Sequence, residues 1–167
     1  MPQETALFKE SQYFSPAFYV IFLACLAMIF VVSMIVPGLG TSLLPMQLIF
    51  VGGFLLTFNL MYMRTIISED DITVVFGLLF PLYVKHIPIT SIIESEAVRY
   101  EPLEDYGGWG IRGWGKRRAL NARGDFGVLL TLEDDTLLML GSQVPQELDD
   151  AIQSAKRQPH IGTRVRE

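Results

Sequence analysis

Residues 18–63 contain no Lys, Arg, Asp, Glu or His, and this gap decides most of what the chain can become. Inside it, 18–36 is a run of 19 residues whose most polar members are Tyr19, Cys25 and Ser33. A second run, 43–63, has 21 residues and is broken only by Pro45, Gln47, Thr57 and Asn59. A helix rises about 1.5 Å per residue, so either run spans a hydrocarbon core about 30 Å thick. Two helices buried in a soluble protein would need more covering chain than remains. A cleaved signal peptide is the rival reading for the first run. That run exceeds the usual apolar core of roughly 7–15 residues, and no small-x-small cleavage site follows it.

The link Pro37-Gly38-Leu39-Gly40-Thr41-Ser42 reads as a tight uncharged turn. It forces an antiparallel hairpin over 18–63, with Pro45 expected in the first turn of the second helix, where a missing N–H is harmless. Gly52-Gly53 allows close helix approach. Gln47 and Asn59 read either as bonds between helices or as ordinary near-interface residues. Both chain ends then share one side of the membrane. Lys9 precedes the first span and Arg64 follows the second, while the turn carries no Lys or Arg. The positive-inside rule makes that side cytoplasmic. Residues 1–17 read as an N-terminal tail, with Ser15-Pro16 as a stop before the first helix.

From residue 64 the pattern changes to alternation. Ile72, Val74 and Phe76 alternate along one strand after the polar turn Glu69-Asp70-Asp71. Residues 77–81 form a turn, 82–87 and 92–100 further strands, and 106–115 a Gly- and Trp-rich loop holding one short strand. Residues 118–121, 128–132 and 136–140 complete the set, the last two as a hairpin around Glu133-Asp134-Asp135. Pro145 opens a helix with Glu147, Asp149 and Asp150 early and Lys156 and Arg157 late, the order the helix dipole favours. Leu148, Ala151, Ile152 and Ala155 give it one apolar face. Residues 64–158 are therefore expected to form a mainly-β domain, a small antiparallel barrel of about seven strands, or paired sheets, capped by a C-terminal helix. Residues 159–167 read as a disordered tail.

Charge and motifs exclude several functions. The net charge of −5 argues against nucleic acid as partner. One cysteine, Cys25, permits no intramolecular disulfide and no cysteine-built zinc site; His86 and His160 stand far apart. No phosphate-cradling loop with Gly-Lys-Ser/Thr, G-x-S-x-G elbow or His-Glu-x-x-His is present, and the Gly107-Gly108-x-Gly110 cluster lacks a βαβ setting. No enzyme, cofactor or metal is expected.

The hairpin followed by ISEDDITVVFG (67–77) and YVKHIPITSIIE (83–94) resembles membrane-anchored bacterial proteins with a pleckstrin-homology-like domain. Tyr106-Gly107-Gly108-Trp109-Gly110-Ile111-Arg112, with Gly127-Val128 and Gly141-Ser142-Gln143, is similar to an uncharacterised group of that type. The resemblance implies a pleckstrin-homology-like barrel at the bacterial inner membrane and no reaction. It leaves a binding or scaffold module that engages a membrane protein or further copies of itself.

Two charge blocks are the candidate surfaces. Glu94, Glu96, Glu101, Glu104 and Asp105 stand against one base, Arg99; Arg112, Lys116, Arg117, Arg118 and Arg123 follow with no acid among them. The blocks either face and neutralise each other, or the basic one meets anionic lipid headgroups, chiefly through Lys116, Arg117 and Arg118. Trp109 and Trp114 beside it suit the headgroup level. As a ligand or partner site, Tyr106, Trp109, Arg112 and Trp114 would present rings and a guanidinium to a planar anionic group or a peptide. The bland alternative buries Trp109 in the barrel. Leu78, Leu79 and Phe80 either dip into the bilayer or belong to the core. The usual pleckstrin-homology phosphoinositide loop needs bases, and neither 69–71 nor 77–81 carries one.

Overall fold

The computed structural model describes residues 6–35 and 39–158. In chain order its elements are β1 (Phe8–Tyr13), α1 (Pro16–Ile35), α2 (Leu39–Leu60), β2 (Tyr62–Ile67), β3 (Asp71–Phe76) and β4 (Tyr83–Pro88). After a 3₁₀ turn (Ile89–Ser91) come β5 (Ile92–Arg99), α3 (Pro102–Tyr106), β6 (Gly110–Trp114), β7 (Arg117–Asn121), β8 (Phe126–Leu132), β9 (Leu137–Gly141) and α4 (Pro145–Arg157). The tail expected over 159–167 lies outside the described residues.

α1 has no charged residue and none of its residues is buried. Among the described residues it is the one helix long and apolar enough to cross a membrane; Gln47–Leu60 of α2 is apolar but shorter. The two helices are zipped by rings. Phe22 stacks on Phe54 and Phe50 at 4.5 and 5.0 Å, and Tyr19 meets Phe58 edge-on at 5.4 Å. Of the expected turn, 36–38 lie outside the described residues and 39–42 are helical. Pro45 consequently falls inside α2 rather than in its first turn. In apolar surroundings, uncharged Gly, Thr and Ser satisfy their backbone better in a helix than in an open turn.

The strands form two sheets, ordered β1-β2-β3-β4 and β5-β8-β9-β7-β6. Every pairing is antiparallel except β7 with β9, which is parallel. The described residues thus hold nine strands where about seven were expected, and one pairing departs from an antiparallel barrel. One added strand is β2, which takes over the end of the second apolar run: Met63, Thr65 and Ile67 alternate inward. The other is β1, cut from the segment expected as a tail. Its alternation is polar and so carries no hydrophobic signal. Its inward polar side chains instead bond across the domain. Ser142 Oγ and the Gln143 N–H donate to the Glu10 carboxylate at 2.7 and 2.8 Å, and Gln12 Nε2 donates to the Gly141 carbonyl at 2.8 Å.

Between the sheets lies one core containing Met63, Ile67, Ile72, Val74, Phe76, Ile87, Val128, Leu130 and Leu140, closed by Leu148, Ile152 and Ala155 of α4. A smaller cluster of Tyr100, Ala119 and Met139 with Tyr106 lies apart from it. Asn121, fully buried, ties that region together: Nδ2 donates to Tyr100 Oη at 2.9 Å and Oδ1 accepts the Gly110 N–H at 2.8 Å. Burial pushes the Tyr100 phenol up to about 12, the Asn121 bond opposing it and Tyr106 and Asp125 adding to it.

Candidate functional site

The end of α2 is locked to the β domain by one side chain. Asn59 is 5% exposed. Its Oδ1 accepts the N–H groups of Leu79 and Phe80 at 2.7 and 3.2 Å, and its Nδ2 donates to the Phe80 carbonyl at 2.9 Å. The Leu78 N–H adds a bond to the Asn59 carbonyl at 3.0 Å. The 77–82 turn therefore hangs from the last turn of the helix. Gly77 enters it at φ +132°, and a Cβ there would lie 1.9 Å from the Phe80 carbonyl oxygen. Held this way, Leu79 and Phe80 remain 74% and 69% exposed, so they are not core residues.

The start of α1 is fixed from the other side. Trp109 is half-buried and meets Phe18 edge-on at 6.4 Å, while its Nε1 donates to the Gly124 carbonyl at 2.9 Å. Its ring thus rests against the base of α1 and outside the main core, which corrects the expectation of a tryptophan inside the barrel. The physical reason is upstream. Pro102 opens α3 and Gly107 closes it in the left-handed conformation at φ 73°, so the chain reverses before Trp109 and delivers it to the helix base.

The four candidate partner residues do not converge. Tyr106 turns toward Tyr100 at 5.9 Å, with the Arg117 guanidinium 5.3 Å from its ring centre. Trp109 and Arg112 stay together, Arg112 Nε donating to the Trp109 carbonyl at 2.8 Å. Trp114, at the far end of β6, is 94% exposed.

The lipid-surface trio divides as well. Lys116 pairs with Asp135 and Arg117 with Asp105, each at 3.0 Å. Arg118 Nε instead donates to the Gly115 carbonyl at 2.9 Å. The acidic and basic blocks do not face each other as a whole, because β5, with Glu94 and Glu96, and β6, with Arg112, occupy opposite edges of one sheet. Only Arg117–Asp105 joins one block to the other among the described residues.

Two concavities adjoin this region. A hollow of about 500 Å³ at the helix base is lined by Phe14, Phe18, Leu60, Met61, Trp109 and Arg112, among others. A cleft of about 400 Å³ lies between the sheets, with Tyr83 and Lys85 of β4 on one side and Arg112, Trp114 and Arg118 on the other. Ile111 and Arg112 form the wall they share.

Sequence reasoning missed Asn59 as a clamp and Lys85 as a lining residue. The signal for Asn59 was its place as the last polar residue of an apolar run. For Lys85 it was a cation at an inward-facing step of an alternating strand.

His86 lies exposed on β4, its Nδ1 2.8 Å from Asp71 Oδ2. Burial pushes Asp71 up, but hydrogen bonds from Ser68, His86 and Thr73 outweigh it and leave the carboxyl below its ordinary value. Among the described residues, no group of three or more His, Cys, Asp or Glu is placed to hold a metal ion. Comparison with protein-family models, with curated proteins and with solved structures gave no match.

Proposed function

We propose that this chain is a membrane-anchored binding module without catalysis. α1 and α2 both cross the bilayer, the chain ends lie on the cytoplasmic side of a bacterial inner membrane, and a pleckstrin-homology-like β domain engages a membrane-protein partner or a second copy of the chain. The observation that carries this reading is the double attachment at the helix base, by Asn59 to the 77–82 turn and by Trp109 to Phe18. It denies the domain a flexible tether. A partner then has to reach it within the membrane plane, which favours another membrane protein over a soluble one. Exposed Leu79, Phe80, Leu103 and Ile111 near that base suit the interface level of a bilayer.

The test is photo-crosslinking of the full chain in native membranes, with the reactive residue at Ile111, at Trp114 or, as control, at Gln146 of α4. A discrete protein adduct from position 111 or 114 and none from 146 is the expected result. Adducts at none of the three positions would contradict a protein partner.

A second reading, an anionic-surface sensor through residues 112–123, draws on Arg112, Arg118 and Arg123, which lack an acidic partner among the described residues. Salt separates the two readings, since contacts with a charged surface weaken steeply as ionic strength rises.

A further inference from the structure

We infer that the inter-sheet cleft is an anion site for a phosphate-bearing group, built from Lys85, Arg112 and Arg118. The argument starts from register. Lys85 pairs with Val74, on the same side of its sheet as Ile87 opposite Ile72. Arg118 pairs with Leu138, on the same side of its sheet as Leu120 opposite Leu140. Val74, Ile87, Leu120, Leu138 and Leu140 are all buried in the core. Two cations therefore stand on the core-facing side of their sheets, Lys85 half-buried and Arg118 exposed at the mouth of the cleft. Lys85, half-buried at its step, gives up part of its hydration, which a counter-charge in the cleft would replace.

The protein supplies little counter-charge. Asp134 is the only acid lining the cleft, and none of the three cations forms an ion pair among the described residues. The two arginines are oriented all the same. Arg112 Nε is fixed by the Trp109 carbonyl and Arg118 Nε by the Gly115 carbonyl. That leaves both terminal amino groups of each guanidinium without a hydrogen-bond partner among the described residues. A fork oriented in this way matches the oxygen edge of a phosphate. Low-dielectric walls around a like-charged cleft also focus its field on an entering anion. The neighbouring cations Lys116 and Arg117 are paired outward with Asp135 and Asp105, so the site is not the basic block as a whole.

The wall of Ile111 and Arg112 shared with the apolar hollow beside Phe18 and Met61 places the phosphate next to a surface suited to acyl or glycerol carbons. A lipid headgroup and a soluble phosphate ester thus share the same chemistry here. The site itself does not depend on the function proposed above; only a lipid source does.

Trp114 lines the cleft and is its reporter. The full chain in neutral detergent is titrated with inorganic phosphate, with glycerol phosphate and with monomeric dihexanoyl-phosphatidylglycerol, following tryptophan fluorescence. A Trp114→Phe variant identifies the responding ring. The expected result is saturable change that weakens about tenfold in Lys85→Met and again in Arg118→Met, while Lys116→Gln binds as the parent does. Methionine keeps the stem of either cation, and a melting curve of each variant confirms folding. Tighter binding of the lipid assigns a headgroup; equal or tighter binding of glycerol phosphate assigns a soluble ester. No saturable response to any of the three probes, or one unchanged in the folded Lys85→Met/Arg118→Met double variant, overturns the site.

Discussion

Replacing Asn59 by Ala removes three hydrogen bonds at once, from the Leu79 and Phe80 N–H groups and to the Phe80 carbonyl. Each such bond contributes about 1 kcal/mol net, and a buried group left unpaired costs about 1–3 kcal/mol. Because residues 79–82 of the turn are exposed, water can re-solvate part of it, and the lower end applies. A loss of about 2–3 kcal/mol in local opening follows, with each 1.4 kcal/mol worth about a factor of ten. Amide hydrogen exchange over residues 77–82, measured on the full chain in nanodiscs, should accelerate about 30- to 140-fold. Thr57→Ala is the control: its hydroxyl bonds only to the Gly53 carbonyl in the same helix, and the turn should not respond. Unchanged exchange in Asn59→Ala would refute the clamp. It would mean that the turn holds itself, through the Leu82 N–H bond to the Phe76 carbonyl at 3.0 Å.

Gly113→Ala should disrupt β6 by at least about 2 kcal/mol. The residue sits at φ +90° and a Cβ would come 2.2 Å from the Arg117 carbonyl oxygen; thermal unfolding of the full chain in detergent measures the loss. Tyr100→Phe leaves Asn121 Nδ2 buried without its acceptor and should cost about 1–2 kcal/mol. In the parent, ultraviolet titration should find one phenol pushed up to about 12. Asp71 has a lowered pKa in the folded state, so its contribution is present above the ordinary carboxylate pKa and is lost as pH falls through the folded value. Asp71→Asn should therefore reduce stability at neutral pH and flatten the acid limb. The difference should be about 0.5–1 kcal/mol, discounted for screening because the His86 side chain is 64% exposed. Urea unfolding at pH 7 and pH 3 checks both statements.

Where hydrophobic alternation is strong, the sequence was legible. β3, β8, β9 and α4 appear within a residue or two of their expected bounds, because Ile72-Val74-Phe76, Val128-Leu130 and Leu148-Ile152 each mark one buried face. β1 was illegible because its inward positions include Glu10 and Gln12. Their partners, Gly141, Ser142 and Gln143, lie about 130 residues away, and no local pattern reports such a bond. The boundary between α2 and β2 was hidden for another reason: Met61, Tyr62 and Met63 are apolar in either structure. In the candidate site, the residue types were readable but not their grouping. The reversal at Gly107 sends Tyr106 and Trp109 to different neighbours. The cleft draws Lys85 from a strand that is remote in sequence from Arg112 and Arg118.

The central claim is that both helices cross the bilayer and hold the β domain against its surface. Spin-label depth measurement tests it most directly, using the full chain in nanodiscs with Cys25, the only cysteine, replaced by Ala. Single labels go at Leu48 of α2, at Leu79 and Phe80 in the clamped turn, and at Glu133 and Glu147 on the exposed surface. The account expects oxygen-rich, deep values at 48, headgroup-level values at 79 and 80, and aqueous values at 133 and 147. An aqueous reading at 48 would remove the second span. Aqueous readings at 79 and 80 with a deep 48 would detach the domain from the membrane surface and contradict the account.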